Sequence, residues 1–200
     1  MITLTQAGFS EQTITKSRFI GMAVACASER EVGAALRAFL AQHQGAHHLA
    51  YAFRIKPEPD QGLNSMQSPA IVQRFSDAGE PSGTAGMPIL KLIEGRDLIN
   101  ACVAVIRYYG GINLGTGGLA RAYGGTAKLA LDSAKTANFV AMQSLALTID
   151  YKQMDLLSRA LSNCNGSIVS KSFDAQIDLV VSLPVHEVEG FLNRFKPYGE

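Results

Sequence analysis

The segment from Arg107 to Gly125, RYYGGINLGTGGLARAYGG, holds seven of the chain's nineteen glycines. Glycine inside a helix or strand costs about 0.5 to 1 kcal/mol relative to alanine, so such a cluster needs a structural or chemical return. Three returns are open: tight turns, close packing of backbones, and a cradle of N–H groups for an anion. A strand leads into the segment and a helix leaves it, so free N–H groups and the positive end of a helix dipole meet at Gly115 to Leu119. GTGGLA at 115–120 matches the G-x-G-x-x-G/A pattern. The separation of Gly110 from Gly115 and the lack of an acidic strand end further on depart from a dinucleotide loop. GINLGT lacks the Lys-Ser/Thr pair of a phosphate-binding P-loop. Gly124 and Gly125 fall in the helix interior, where glycine is expected to let a helix sit close on a sheet.

A second set of candidates lies in SDAGEPSGTAG at 76–86. Asp77 and Glu80 are spaced for paired carboxylate chemistry or for satisfying local backbone N–H groups in a Gly-Pro turn, and the turn reading is favoured. Ser82 and Thr84 are hydroxyl nucleophiles by type, but no base is attached to them, so each reads as a helix cap. His47 and His48 are adjacent in a strand, point to opposite faces, and cannot ligate one metal together. Arg107 and Arg121 flank the glycine segment and suit an anion. These patterns designate no catalytic residue, no cofactor and no metal.

The elements that must position these residues follow from periodicity. FIGMAVACA (19–27) reads as a buried strand, followed by a Ser28/Glu31 capping box and a helix with the stripe Val32, Ala35, Leu36, Phe39, Leu40. HHLAYAFRI (47–55) and AIVQRF (70–75) read as strands, with the polar run 56–70 as an exposed loop between them. A helix capped by Thr84 or Ser82 carries Pro88 in its first turn and ends at Gly95. NACVAVIRYY (100–109) is the most strand-like run, and helical period begins near Gly118. From about Ser144 the order becomes β-α-β-β-α, the pattern of a half-open ferredoxin-like domain.

Composition bounds the rest. The 200 residues carry 18 basic and 17 acidic side chains, a formal charge of +1, which excludes a global nucleic-acid or membrane footprint. Division after Val140 gives +3 (13 basic, 10 acidic) and −2 (5 basic, 7 acidic), so any polyanion preference lies in the first part. Cys26, Cys102 and Cys164 form no CxxC pair and read as buried, reduced thiols of a cytoplasmic protein. Neither a signal peptide nor a membrane span is expected.

KSRFIG (16–21), AHHLAYAF (46–53), SDAGEPSGTAGMPIL (76–90) and RYYGGINLGTGGLARAYGG (107–125) together resemble the bacterial branch of the IMPACT family. The resemblance implies an α+β fold. Residues 1–140 would form an N-terminal domain related to a ribosomal-protein domain and to sugar-kinase-type folds, and 141–200 a ferredoxin-like domain similar to one in elongation factors. It also implies a link to translation, since eukaryotic members act in translational control by binding a scaffold that activates an initiation-factor kinase. On that basis the expected function is regulatory binding rather than catalysis, with RNA, the ribosome or a translation-related protein as partner and no membrane. The alternatives are a small-molecule enzyme or phospho-ligand binder and a purely architectural interaction module. The family pattern, with the flanking chemistry, gives the candidate binding set His48, Asp77, Glu80, Thr84, Arg107, Tyr108, Gly110, Gly111, Gly115, Gly117, Gly118 and Arg121. Ala78, Met87 and Ala50 stand where relatives often carry Asp, Lys and Cys, which weakens two-carboxylate, phosphate and thiol chemistry in turn.

Overall fold

The computed structural model describes residues 1–57 and 70–195; the expected loop over 56–70 lies almost wholly outside them. The described chain falls into two compact units divided between Phe139 and Val140. Both mix helices and strands, as the expected α+β class requires.

In the first unit, strands β1 (Ile2–Gln6), β2 (Gly8–Ile14) and β3 (Ser17–Ala25) precede helix α1 (Glu29–Gln42). Then follow β4 (His48–Ile55), β5 (Val72–Ser76), α2 (Gly86–Gly95), β6 (Ala101–Tyr108), α3 (Gly115–Ser133) and β7 (Lys135–Asn138). Five strands form one antiparallel sheet in the order β2-β3-β6-β4-β5, and β1 pairs with β7 separately. The central strand β6 is covered on both faces, which is why its sequence is a continuous apolar run rather than an alternation. Its Ala101, Val103 and Val105 pack with α2 and α3, while Cys102, Ala104 and Ile106 pack on the α1 side.

Small residues let helices approach one face of the sheet. The α2/α3 face carries Gly21, Ala23, Ala50 and Ala52 beside the larger Phe19, and the α1 face carries Ile20, Met22 and Phe53. A Cβ on Gly21 would lie 3.0 Å from the Thr126 carbonyl oxygen, and one on Gly8 would lie 2.0 Å from that of Ala130. The glycines that let α3 approach the sheet are therefore on the strands. This corrects the expectation for Gly124 and Gly125: a Cβ there would meet Pro88 and Gln12 at an ordinary 3.6 Å.

Local signals set the helix limits unevenly. Ser28 caps α1, its Oγ accepting from the Glu31 N–H, while the Glu31 carboxylate reaches one residue further back to the Ala27 N–H. Leu40 of the expected stripe is 45% exposed, while Phe39 beside it is 3% exposed and packs on the sheet. Helix α3 begins at Gly115, three residues before the expected start, so Gly117 and Gly118 belong to its first turn.

The second unit consists of β8 (Met142–Ile149), α4 (Met154–Asn163), β9 (Ser167–Phe173), β10 (Ile177–Pro184) and α5 (Val188–Arg194). Its sheet runs β8-β10-β9, with β10 antiparallel to both neighbours, and its core joins Leu147, Ile149, Leu157, Leu179, Val181 and Phe191. Cys26 and Cys102 are buried and Cys164 is half-buried, all as free thiols. No helix among the described residues is long and apolar enough to cross a membrane.

Candidate functional site

The site is built where β5 and β6 end and the antiparallel β4 begins. β5 stops at Ser76, and the chain turns through Ala78, Gly79 and Gly83, all with positive φ, before entering α2. Asp77 organises this turn. Its Oδ2 accepts from the Gly83 N–H at 2.8 Å, and its Oδ1 accepts from the N–H groups of Ala85 at 2.9 Å and Gly86 at 2.8 Å. Asp77 thus caps α2 from eight and nine residues upstream, at the helix end that favours negative charge. Burial pushes its carboxyl up, but the three backbone donors together bring it below the usual carboxylate value.

This arrangement corrects the expected cap. Neither Thr84 nor Ser82 caps α2; Thr84 is buried and its hydroxyl donates to the Pro81 carbonyl at 2.6 Å. The Thr84 side chain closes its own turn because Asp77 already occupies the helix N–H groups.

Glu80 is the centre of a buried polar network. Its Oε1 accepts from Arg107 Nη1 at 2.7 Å and from the Tyr123 hydroxyl at 2.7 Å, and the Glu80 and Arg107 side chains are each 5% exposed. Arg107 Nη2 reaches Ser17 Oγ at 3.4 Å, and the same Oγ accepts from the Gly110 N–H at 3.1 Å. Burial, and then the hydrogen bond to the Glu80 carboxylate, hold the Tyr123 phenol well above its ordinary pKa, so it remains a donor. Arg107 Nε is buried with no hydrogen-bond partner. The guanidinium lies 5.6 Å from the Phe19 ring centre and 5.1 Å from that of Tyr109, so the flat cation is held between aromatic rings.

His48 stands directly opposite Arg107 in the β4/β6 ladder. Its Nδ1 lies 3.0 Å from the Ala78 carbonyl. A carbonyl only accepts, so Nδ1 carries the proton, and Nε2 faces Glu80 Oε1 at 4.0 Å. His47 turns the other way, its Nδ1 accepting from the Tyr109 N–H at 3.3 Å.

Asp77 and Thr84 thus close the turn that carries Glu80, and His48, Glu80, Arg107 and Gly110 meet in one cluster. Tyr108 does not. Strand alternation sends it to the α1 face, where it packs beside Ile106 and under the Arg18 guanidinium. Its neighbour Tyr109 occupies the position over Arg107. Ser17 and Tyr123 are the residues that sequence reasoning left out. Their signal was a polar residue heading a buried strand in KSRFIG and a tyrosine on the apolar stripe of α3.

The glycine loop has two parts. Gly110 is packed, since a Cβ there would lie 2.1 Å from the Lys16 carbonyl oxygen. Gly111 and Gly115 have positive φ with open space around them, and Gly117 and Gly118 lie in the first turn of α3, which no side chain caps. Arg121 is exposed one turn further on, its guanidinium beside Gly117, and makes no ion pair among the described residues. Asp77 and Glu80, for which the sequence favours the turn reading over paired carboxylate chemistry, are committed to internal partners, while the loop, its N–H groups and Arg121 remain open.

Comparison with known proteins finds two families along the chain. The Impact N-terminal domain family matches residues 15–131, and a domain of unknown function, DUF1949, matches residues 147–196. The chain is 35% identical over 181 residues to IMPACT family member YigZ of Escherichia coli (strain K12), spanning 90% of this chain and 84% of that protein. It is 35% identical over 159 residues to IMPACT family member YvyE of Bacillus subtilis (strain 168), spanning 80% and 68%. A crystal structure described as that of a hypothetical protein superposes with a TM-score of 0.69 at 32% identity, covering 96% of this chain and 89% of the other.

Proposed function

This chain belongs to the IMPACT family, and from that membership and the commitments of its buried charges we propose that it is a non-catalytic binding protein acting in translation. The translational role follows the resemblance to eukaryotic members that work in translational control. The binding face is assigned to the first unit, at the open glycine loop and Arg121, with RNA, the ribosome or a translation-related protein as partner.

One observation carries the non-catalytic reading. Each carboxylate of the site accepts hydrogen bonds from its own fold: three backbone N–H groups on Asp77, and Arg107 and Tyr123 on Glu80. A general acid or base must exchange its proton with a substrate within hydrogen-bond reach. A carboxylate held by a buried guanidinium and a phenol is instead a structural anion that fixes the two loops to the sheet.

The rival reading, small-molecule chemistry, has one observation in its favour: the His48 ring is oriented by the Ala78 carbonyl at Nδ1, with Nε2 4.0 Å from Glu80 Oε1 and a quarter of its side chain exposed. Two measurements separate the readings. Co-sedimentation with ribosomes and titration with RNA at low salt should show binding that Arg121→Ala weakens. A thermal-shift screen with nucleotides and phosphosugars should show no change, whereas a ligand at 100 times its Kd would add about 2.7 kcal/mol. Binding of a small ligand that His48→Gln abolishes, with no association with RNA or ribosomes, would overturn the proposal.

A further inference from the structure

We propose that the partner is single-stranded RNA and that the turn joining β2 to β3 forms half of its binding face, with Lys16 and Arg121 on phosphates and Tyr109 stacked on a base. This inference rests on the binding reading above and names the partner class.

The turn is Thr15-Lys16, enclosed by the Ile14 and Ser17 pair, and both residues have positive φ, 47° and 64°. Two-residue hairpin turns of this kind favour Asn-Gly, and a β-branched threonine at positive φ is an outlier. Such a conformation persists where the surroundings fix it. Here they do: the Lys16 carbonyl abuts the Gly110 backbone, and Ser17 Oγ binds the Gly110 N–H. Hairpin turn and glycine loop are therefore locked together at Gly110, by close approach of the Lys16 carbonyl and by the Ser17 hydroxyl.

The unpaired charges of the hairpin turn and of the helix that the glycine loop opens share one sign. Lys16 is exposed and makes no ion pair among the described residues, and Arg121 stands likewise beyond Gly117. Asp77 and Glu80, the nearby acids, are taken up within the fold. Tyr109 precedes Gly110, the residue packed against Lys16, and is 41% exposed and held at three points. Its hydroxyl donates to Asn113 Oδ1 at 3.1 Å, its N–H to His47 Nδ1, and its ring lies against the Arg107 guanidinium. An exposed aromatic ring that is already immobilised loses little freedom when a base stacks on it. An unpaired lysine next to a rigid ring, with a second unpaired cation in the helix that the glycine loop opens, fits a phosphate backbone with one unstacked base. An acidic protein partner would use the cations but leave the ring without a stacking role.

The test is fluorescence anisotropy of the full chain with a labelled oligouridylate over a fourfold range of salt. Two phosphate contacts on a single strand predict a slope of log K against log salt of about −1.4, a loss of about sevenfold over that range. Lys16→Asn removes one contact and suits the positive φ, so unfolding cannot account for its effect; it should reduce the slope to about −0.7, a loss of about threefold. Tyr109→Ala should weaken binding about fivefold or more with the slope unchanged, since stacking is worth about 1 to 3 kcal/mol per base. Binding of RNA that neither variant alters would overturn the inference and leave the binding reading intact. Binding of ribosomes or an acidic protein with none of the oligonucleotide would also overturn it, and no association with any of them would remove both.

Discussion

Replacing Glu80 with alanine tests the account of the site most directly. The carboxylate accepts two 2.7 Å hydrogen bonds, from Arg107 and Tyr123, in surroundings where both members of the ion pair are 5% exposed. Truncation leaves a buried guanidinium with a single 3.4 Å contact to Ser17 Oγ and an Nε already without a partner. Breaking a buried pair from one side costs about 3 to 5 kcal/mol, because the remaining charge is uncompensated. For a chain of this size that corresponds to a fall in Tm of roughly 6 to 20 °C. Glu80→Gln keeps an acceptor in the same place and loses only the charge. Since charge-assisted hydrogen bonds are about twice as strong as neutral ones, it should cost roughly half as much. Urea denaturation of the wild type, both Glu80 variants and Tyr123→Phe gives the comparison. The Glu80/Tyr123 double-mutant cycle should show a coupling of about 0.5 to 3 kcal/mol. A Glu80→Ala cost below about 1 kcal/mol, the value of an exposed ion pair, would refute the reasoning. A stable Glu80→Gln protein that had lost a measurable reaction would refute the non-catalytic reading.

Three further perturbations follow from the same geometry. Asp77→Asn should cost about 1 to 2 kcal/mol at neutral pH through the lost cap of α2. The wild-type carboxyl lies below its unfolded value, so its contribution is complete above that value and lost as pH falls through the folded pKa; the variant's acid denaturation curve should be flatter in that range. Gly124→Ala should stabilise the protein by about 0.5 to 1 kcal/mol because its Cβ fits at 3.6 Å, whereas Gly21→Ala, with a Cβ 2.5 Å from Ser10 Oγ, should destabilise it by about 1 to 3 kcal/mol; thermal melts of the pair decide this. Arg121→Ala should leave stability within about 0.5 kcal/mol while weakening RNA or ribosome binding, and a large drop in Tm would instead assign Arg121 to the architecture.

The sequence by itself determined what depends on neighbours a few residues apart. The Ser28 cap, the apolar run of β6, the β-α-β-β-α order after Ser144 and the motifs of the family were all legible, because caps, periodicity and turns act within one or two turns of chain. Tertiary structure alone decided which polar groups meet. Glu80 finds Arg107 and Tyr123 at separations of 27 and 43 residues, and Arg107 finds Ser17 across 90. Asp77, not the hydroxyls nearest α2, caps that helix because the turn at 78–83 folds its carboxylate back over the helix end. Tyr109 rather than Tyr108 joins the site because strand β6 pairs in one register and alternation assigns each side chain a face. Likewise, the glycines that admit α3 are Gly8 and Gly21, visible only once helix and sheet are in contact. Register, side-chain direction and close approach are fixed by pairing between distant segments, so no local pattern in the sequence encodes them.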